Sequence, residues 1–171
     1  ERLYPKVIIA TPISIGIAEH HMFAPGTLTT KPGAWLSVVF DAVDSMVRHG
    51  IKKVLVLNGH GGNGPGATAV HGQWDLYFQR EHTDVDLRFK SYWDVLDMEF
   101  IRQVQDDPTL PGHASEFETS VSMHLLPENV RIDAIPDSKD PGASNATVEK
   151  GKLLLDKILD GVTAELEDML K

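Results

Sequence analysis

Four consecutive aliphatic residues, Val54-Leu55-Val56-Leu57, run directly into the turn Asn58-Gly59-His60-Gly61-Gly62-Asn63. An unbroken apolar run of this length, half of it β-branched, reads as a strand buried on both faces. That is the signature of a parallel sheet rather than of a half-solvated antiparallel one. Parallel strands open at their carboxyl ends into the crevice where ligands bind, so His60 is aimed at a ligand. Glycines around it, Gly59 and Gly61 among them, are read as substrate-lining positions. Lacking a Cβ, they accept positive φ and let the backbone approach a metal or substrate closely.

The rest of the chain repeats the alternation. Val7-Ile8-Ile9-Ala10 reads as a first strand, followed by a long loop from Thr11 to Lys31 that holds Glu19, His20 and His21. Pro32 to His49 predicts a helix with Pro32 at its first position, an inward face of Trp35, Val38, Val39, Ala42, Val43 and Met46, and Gly50 as its stop. After the strand Lys53–Leu57 come a helix from about Gly66 to Arg80 and a strand from Asp86 to Ser91. A helix from Phe117 to Leu126, an exposed linker from Asp133 to Asn145, and an amphipathic helix over 148–170, interrupted or bent near Gly161, complete it. Strands alternating with helices predict an α/β fold, three layers α/β/α around a mainly parallel sheet, as a single domain over residues 1–171.

Composition narrows the chemistry. With 171 residues, 42% of them hydrophobic, the chain is long enough for an ordinary globular core. Sixteen Lys and Arg against 25 Asp and Glu leave a net charge of -9, which speaks against nucleic acid or an anionic membrane as a partner. With no cysteine present, disulfides, thiolate metal sites and cysteine nucleophiles are excluded together. Any metal must be held by His, Asp and Glu. No apolar run approaches the roughly 20 residues of a membrane span, and a cytoplasmic location is expected.

Two constellations compete for attention. Gly59, Gly61 and Gly64 also spell the register of a dinucleotide-binding loop, but His60 and Asn63 put bulky polar groups where a pyrophosphate must sit. Asp84 and Asp86 lie before or at the start of the next strand, and Asp94, past its end, lies about thirty residues beyond the loop rather than the ~20 expected of a ribose-binding acid. Further on, Gly112-His113-Ala114-Ser115-Glu116-Phe117-Glu118-Thr119-Ser120 sets a histidine and two carboxylates at the entry to a helix. Residues two apart diverge by about 200° on a helix, so Glu116 and Glu118 cannot share a face. Glu116 is read as favouring the helix N-terminus electrostatically, and Glu118 as a ligand braced by Thr119 and Ser120.

Three motifs in order, H-x-x-x-P-G-T at His21 to Thr27, N-G-H-G-G-N at Asn58 to Asn63 and H-A-x-x-F-E-T-S at His113 to Ser120, resemble the creatininase family of metal-dependent amidohydrolases. The resemblance implies two divalent metal ions, zinc or manganese, sharing a bridging water or hydroxide. His60 would be a ligand to one metal and Glu118 to the second. His113 would be the acid/base residue, with Trp93 and His21 near the substrate. It further implies hydrolysis of a C–N bond in a small polar, cyclic amide and a homo-oligomer, a hexamer in family members. Creatininase itself carries a tyrosine and a glutamate where this chain has Gly61 and Gly62, so creatinine does not follow as the substrate. A non-amide cyclic substrate of the keto-sugar type is the alternative.

The family's first metal-binding motif, an E-x-H-G-x-H-type stretch followed by an aspartate, is not found ahead of the P-G-T loop. The remaining ligands are therefore expected from an N-terminal companion segment or a companion chain. A non-catalytic subunit that depends on such a companion is the reading from another functional class.

Overall fold

A computed structural model describes residues 2–82 and 84–171. The chain divides into two compact units, one running to Ser91 and including Leu166–Lys171, the other spanning Tyr92–Glu165.

In the first unit, α1 (Pro32–Arg48), β1 (Lys53–Asn58), α2 (Gly64–Glu81) and β2 (Asp86–Ser91) follow in order. Pro32 opens α1, and Gly50, at φ +92°, supplies the left-handed residue that ends it. Its buried positions are Trp35, Val39, Val43 and Val47, a strict four-residue spacing. Val38 and Ala42, expected inward, lie exposed, because one narrow stripe suffices to cover the sheet face. β1 and β2 pair in parallel, Lys53 opposite Asp86 through Asn58 opposite Ser91, so their carboxyl ends lie side by side.

Val43 and Val47 from α1, Phe78 from α2, and Val54, Val85 and Leu87 form one core cluster; Trp35, Val39 and Ala67 form a second beside it. Alternation then sends Leu55 and Leu57 to the opposite face of β1. Leu57 is 49% exposed there, so β1 is not buried on both faces as its composition suggested.

Val7–Ala10 is not a strand either. It is extended, yet it joins no ladder among the described residues, and Ile8 and Ile9 are 71% and 91% exposed. A strand needs a paired neighbour as well as β-branched composition, and here none is supplied.

The second unit holds α3 (Met98–Val104), α4 (Glu116–Leu125) and most of α5 (Val148–Met169). Asp97 caps α3 by accepting the Phe100 amide at 2.7 Å. Leu96, Ile101, Phe117, Leu154 and Ile158 form its core. α5 continues without a break through Gly161, where an added Cβ would come within 2.5 Å of the Val95 Cβ; this glycine permits close packing and does not end the helix. The expected exposed linker is also structured. Residues Ile132–Asp137 and Pro141–Asn145 form 3-10 turns, Asp140 caps the second through the Gly142 amide at 2.9 Å, and Gly142 and Ala143 are buried.

Candidate active site

The His60 loop begins where β1 stops. Asn58, buried at the strand end, grips both sides of it: its carboxamide donates to the His60 carbonyl at 2.9 Å, and its oxygen accepts the His60 amide at 3.2 Å. The same side chain donates to Ser91 Oγ at 3.0 Å and accepts from Asn63 Nδ2 at 3.1 Å. Asn63 Oδ1 in turn accepts the Ile17 amide at 2.9 Å. Two asparagines therefore stitch the loop to the end of β2 and to the segment around Ile17. Every buried polar atom of this network finds a partner, which is the condition for a buried neutral network to rigidify its surroundings.

His60 Nε2 lies 3.1 Å from the Ile17 carbonyl. A carbonyl can only accept, so in the neutral ring Nε2 carries the hydrogen and Nδ1 the lone pair. That is how metal-ligating histidines are commonly oriented, with one ring nitrogen on a backbone carbonyl and the other turned to the ion.

His20 and His21 form a short 3-10 turn with Glu19 beside His60. The His20 ring stacks on that of His60 at 5.6 Å, and His21 is 6.0 Å from it. The P-G-T motif explains this placement. Gly26, at φ +92°, reverses the chain, and the Thr27 hydroxyl donates to the His21 carbonyl at 3.0 Å.

Positive φ, one of the two uses expected of the loop's glycines, is not needed here. None of Gly59, Gly61 and Gly62 has a positive φ. A Cβ on Gly59 would meet open space, whereas one on Gly62 would collide with the Ile17 carbonyl and come within 2.6 Å of His60 Nε2 and 2.7 Å of His20. Close approach at Gly62 is the requirement that sequence reasoning missed. Asn58 and Asn63 were missed too, although asparagines flanking a glycine run at a strand end were a readable signal.

In the second unit, His113 stands exposed between two left-handed residues, Gly112 at φ +72° and Ala114 at φ +51°. A non-glycine residue at positive φ is held there by its surroundings. Glu118 accepts the Ala114 amide at 2.8 Å, and the Thr119 hydroxyl donates to the Ala114 carbonyl at 3.0 Å. Thr119 and Ser120 thus do not brace Glu118. Thr119 holds the turn, and Ser120 Oγ accepts the Thr147 amide at 3.2 Å.

Tyr92 stacks on Phe117 at 5.8 Å and meets Trp93 edge-on at 4.9 Å. Burial first, and the negative charge of Glu118 second, push the Tyr92 phenol well above its ordinary value, so it stays neutral. Trp93 is half-buried against the core of this unit. Glu116 is more than a favourable charge at a helix end. It is fully buried and ion-paired to Lys150.

The sequence profile of the creatininase family, described as creatinine amidohydrolase, matches residues 1–146. The chain belongs to the creatininase family. Creatinine amidohydrolase of Pseudomonas putida is 26% identical over 84% of this chain and 66% of its own length. A 3-dehydro-scyllo-inosose hydrolase of Thermotoga maritima is 28% identical over 78% of this chain and 43% of its own. The chain thus spans less than two thirds of the length of these curated relatives, both hydrolases.

Solved creatininase structures share the α/β fold. One described as creatininase Mn superposes with a TM-score of 0.72 at 24% identity, covering 85% of this chain and 67% of that one. A mutant creatininase of the Zn-Zn type gives 0.68 at 23%, with the same coverage. A creatinine amidohydrolase from Bacteroides fragilis, itself described as putative, gives 0.63 at 24%, covering 85% and 64%. No helix among the described residues is long and apolar enough to cross a membrane.

Proposed function

We propose that this creatininase-family chain carries the catalytic residues of a metal-dependent hydrolase that opens a C–N bond in a small cyclic amide. The observation that carries this reading is His60, an imidazole locked by Asn58 and by the Ile17 carbonyl at the mouth of a parallel sheet, with Nδ1 left as the lone-pair nitrogen.

The residues fit divalent cations in donor chemistry: His60 as a ligand to one, and Glu118, oriented by its bond to the Ala114 amide, as a ligand to the second. When bound, such ions polarise the substrate carbonyl and make water nucleophilic near neutral pH. The chain's own residues do the rest. His113, on its constrained turn, takes a proton and returns it to the leaving nitrogen. Trp93 and His21, with the backbone of Gly59 and Gly61, border the substrate.

By the same family resemblance the enzyme works as a homo-oligomer, a hexamer, and takes its remaining metal ligands from an N-terminal companion segment or chain. Elemental analysis of protein purified without chelator, together with a lactam screen in added zinc or manganese, tests the reading. Bound transition metal with lactam opening is the expected result. Absence of both overturns it.

A second reading keeps the metals and acts on a cyclic ketone of the keto-sugar type. It is favoured by the small Gly61-Gly62 pair and by the relative that bears the inosose hydrolase name. Turnover of cyclic ketones with none of lactams decides for it.

A further inference from the structure

Among the described residues, Glu116 is the only charged side chain that is buried, and the chemistry proposed above makes no use of it. It opens α4, where its Oε1 accepts the Asp106 amide at 3.1 Å and its Oε2 the Asp107 amide at 2.7 Å. Lys150 Nζ reaches Glu116 Oε1 at 2.5 Å, Asp106 Oδ2 at 2.6 Å and the Asn145 carbonyl at 3.0 Å.

One carboxylate therefore ties together the start and the end of the segment from Asp106 to Glu116, and His113 lies within the segment so closed. Bonds inside the segment stiffen it further: Asp107 Oδ1 accepts from the Thr109 amide and hydroxyl, and the Ser115 hydroxyl donates to the Pro111 carbonyl at 3.3 Å. Lys150 lies in the first turn of α5, where the helix dipole disfavours a cation. Its carboxylate partners are what make that position favourable.

We infer that Glu116 and Lys150 are positioning residues, a clasp that keeps the 106–115 loop closed and presents His113 in one orientation. The inference rests on the acid/base role proposed for His113. A loop closed this way delivers its histidine without reordering at each turnover, which is where catalytic positioning gains rate.

The test uses the metal-loaded full-length protein with histidine isotope labelling, comparing wild type with Lys150→Met, Lys150→Arg and Glu116→Gln. In Lys150→Met, amide exchange at Asp106 and Asp107 rises about tenfold or more. The His113 imidazole resonance broadens or splits, while that of His71, bonded to the Leu87 carbonyl at 3.1 Å, does not. On whichever lactam or cyclic ketone is turned over, kcat falls about tenfold with KM within about twofold. Lys150→Arg restores all three readouts. Should Lys150→Met fail to fold, Glu116→Gln keeps the volume and one acceptor and carries the same readouts.

A folded variant whose loop exchange and His113 resonance match wild type overturns the clasp, and a loosened loop with unchanged kcat overturns the positioning role. Undiminished turnover in His113→Ala instead sinks the proposed function.

Discussion

The His60 loop is held by neutral amides and the His113 loop by charges. Around His60, Asn58 and Asn63 bond to one another, to Ser91 and to the Ile17 amide, each of these bonds running between neutral groups. Around His113, the Glu116 carboxylate, the Lys150 ammonium and the Glu118 carboxylate fix the backbone. A neutral network has low desolvation cost and no response to pH. A charged one is stronger per bond, costs more to bury and carries a pH dependence.

Breaking the charged network has the largest expected effect. Glu116→Ala leaves Lys150 and two amides without their buried acceptor and costs about 3–5 kcal/mol, measured by denaturant unfolding. Asn58→Ala, the corresponding cut in the neutral network, costs about 2–3 kcal/mol, since no buried charge is stranded. Equal losses in the two variants would erase the distinction.

Steric packing comes next. Gly62→Ala drives a Cβ into the Ile17 carbonyl and His60 and costs about 1–3 kcal/mol, together with loss of metal affinity by titration calorimetry. Gly59→Ala, one turn away in open space, stays within about 0.5 kcal/mol of wild type. A reversal of that order would mean that the loop is not packed as described.

The smallest effect is the pH response, and it belongs to the charged side. Burial first, then Glu118, raises Tyr92 above its ordinary value of 10.0. For Lys150, desolvation pulls downward, but Asp106 and Glu116 outweigh it and raise the group above its ordinary 10.5. A folded value above the unfolded one means that the stabilisation is complete below the unfolded value and is lost as pH rises through the folded one. Melting temperature should therefore fall above about pH 10, and Tyr92→Phe should flatten that fall. An unchanged alkaline slope in Tyr92→Phe removes the tyrosine from the account.

Local patterns were readable where the cause of structure is local. β2 spans the predicted Asp86–Ser91, β1 extends the predicted strand by one residue to Asn58, α1 ends one residue before its predicted bound, and α4 is offset by one residue at each end. Capping prolines and the helical spacing of valines act within a few residues, so they survive any tertiary arrangement. Val7–Ala10 failed because strand formation depends on a neighbour that composition does not name. The 133–145 segment failed because burial of Gly142 and Ala143 follows from packing that its prolines and polar residues do not reveal. For the candidate site, the sequence displayed side chains able to act as donors, His60 and Glu118 among them, but not the contacts that hold them. Asn58 meets Ser91 across 33 positions, and Lys150 meets Glu116 across 34.

What the sequence determined by itself is which side chains the candidate site has to draw on and the parallel strands that carry one of them, because side-chain identity and short-range periodicity are properties of neighbours along the chain. The tertiary structure decided which glycine must be a glycine, which glutamate is buried as support, and which carbonyl orients His60. Those outcomes depend on atoms brought together from distant positions, where excluded volume and unpaired charge leave only one arrangement.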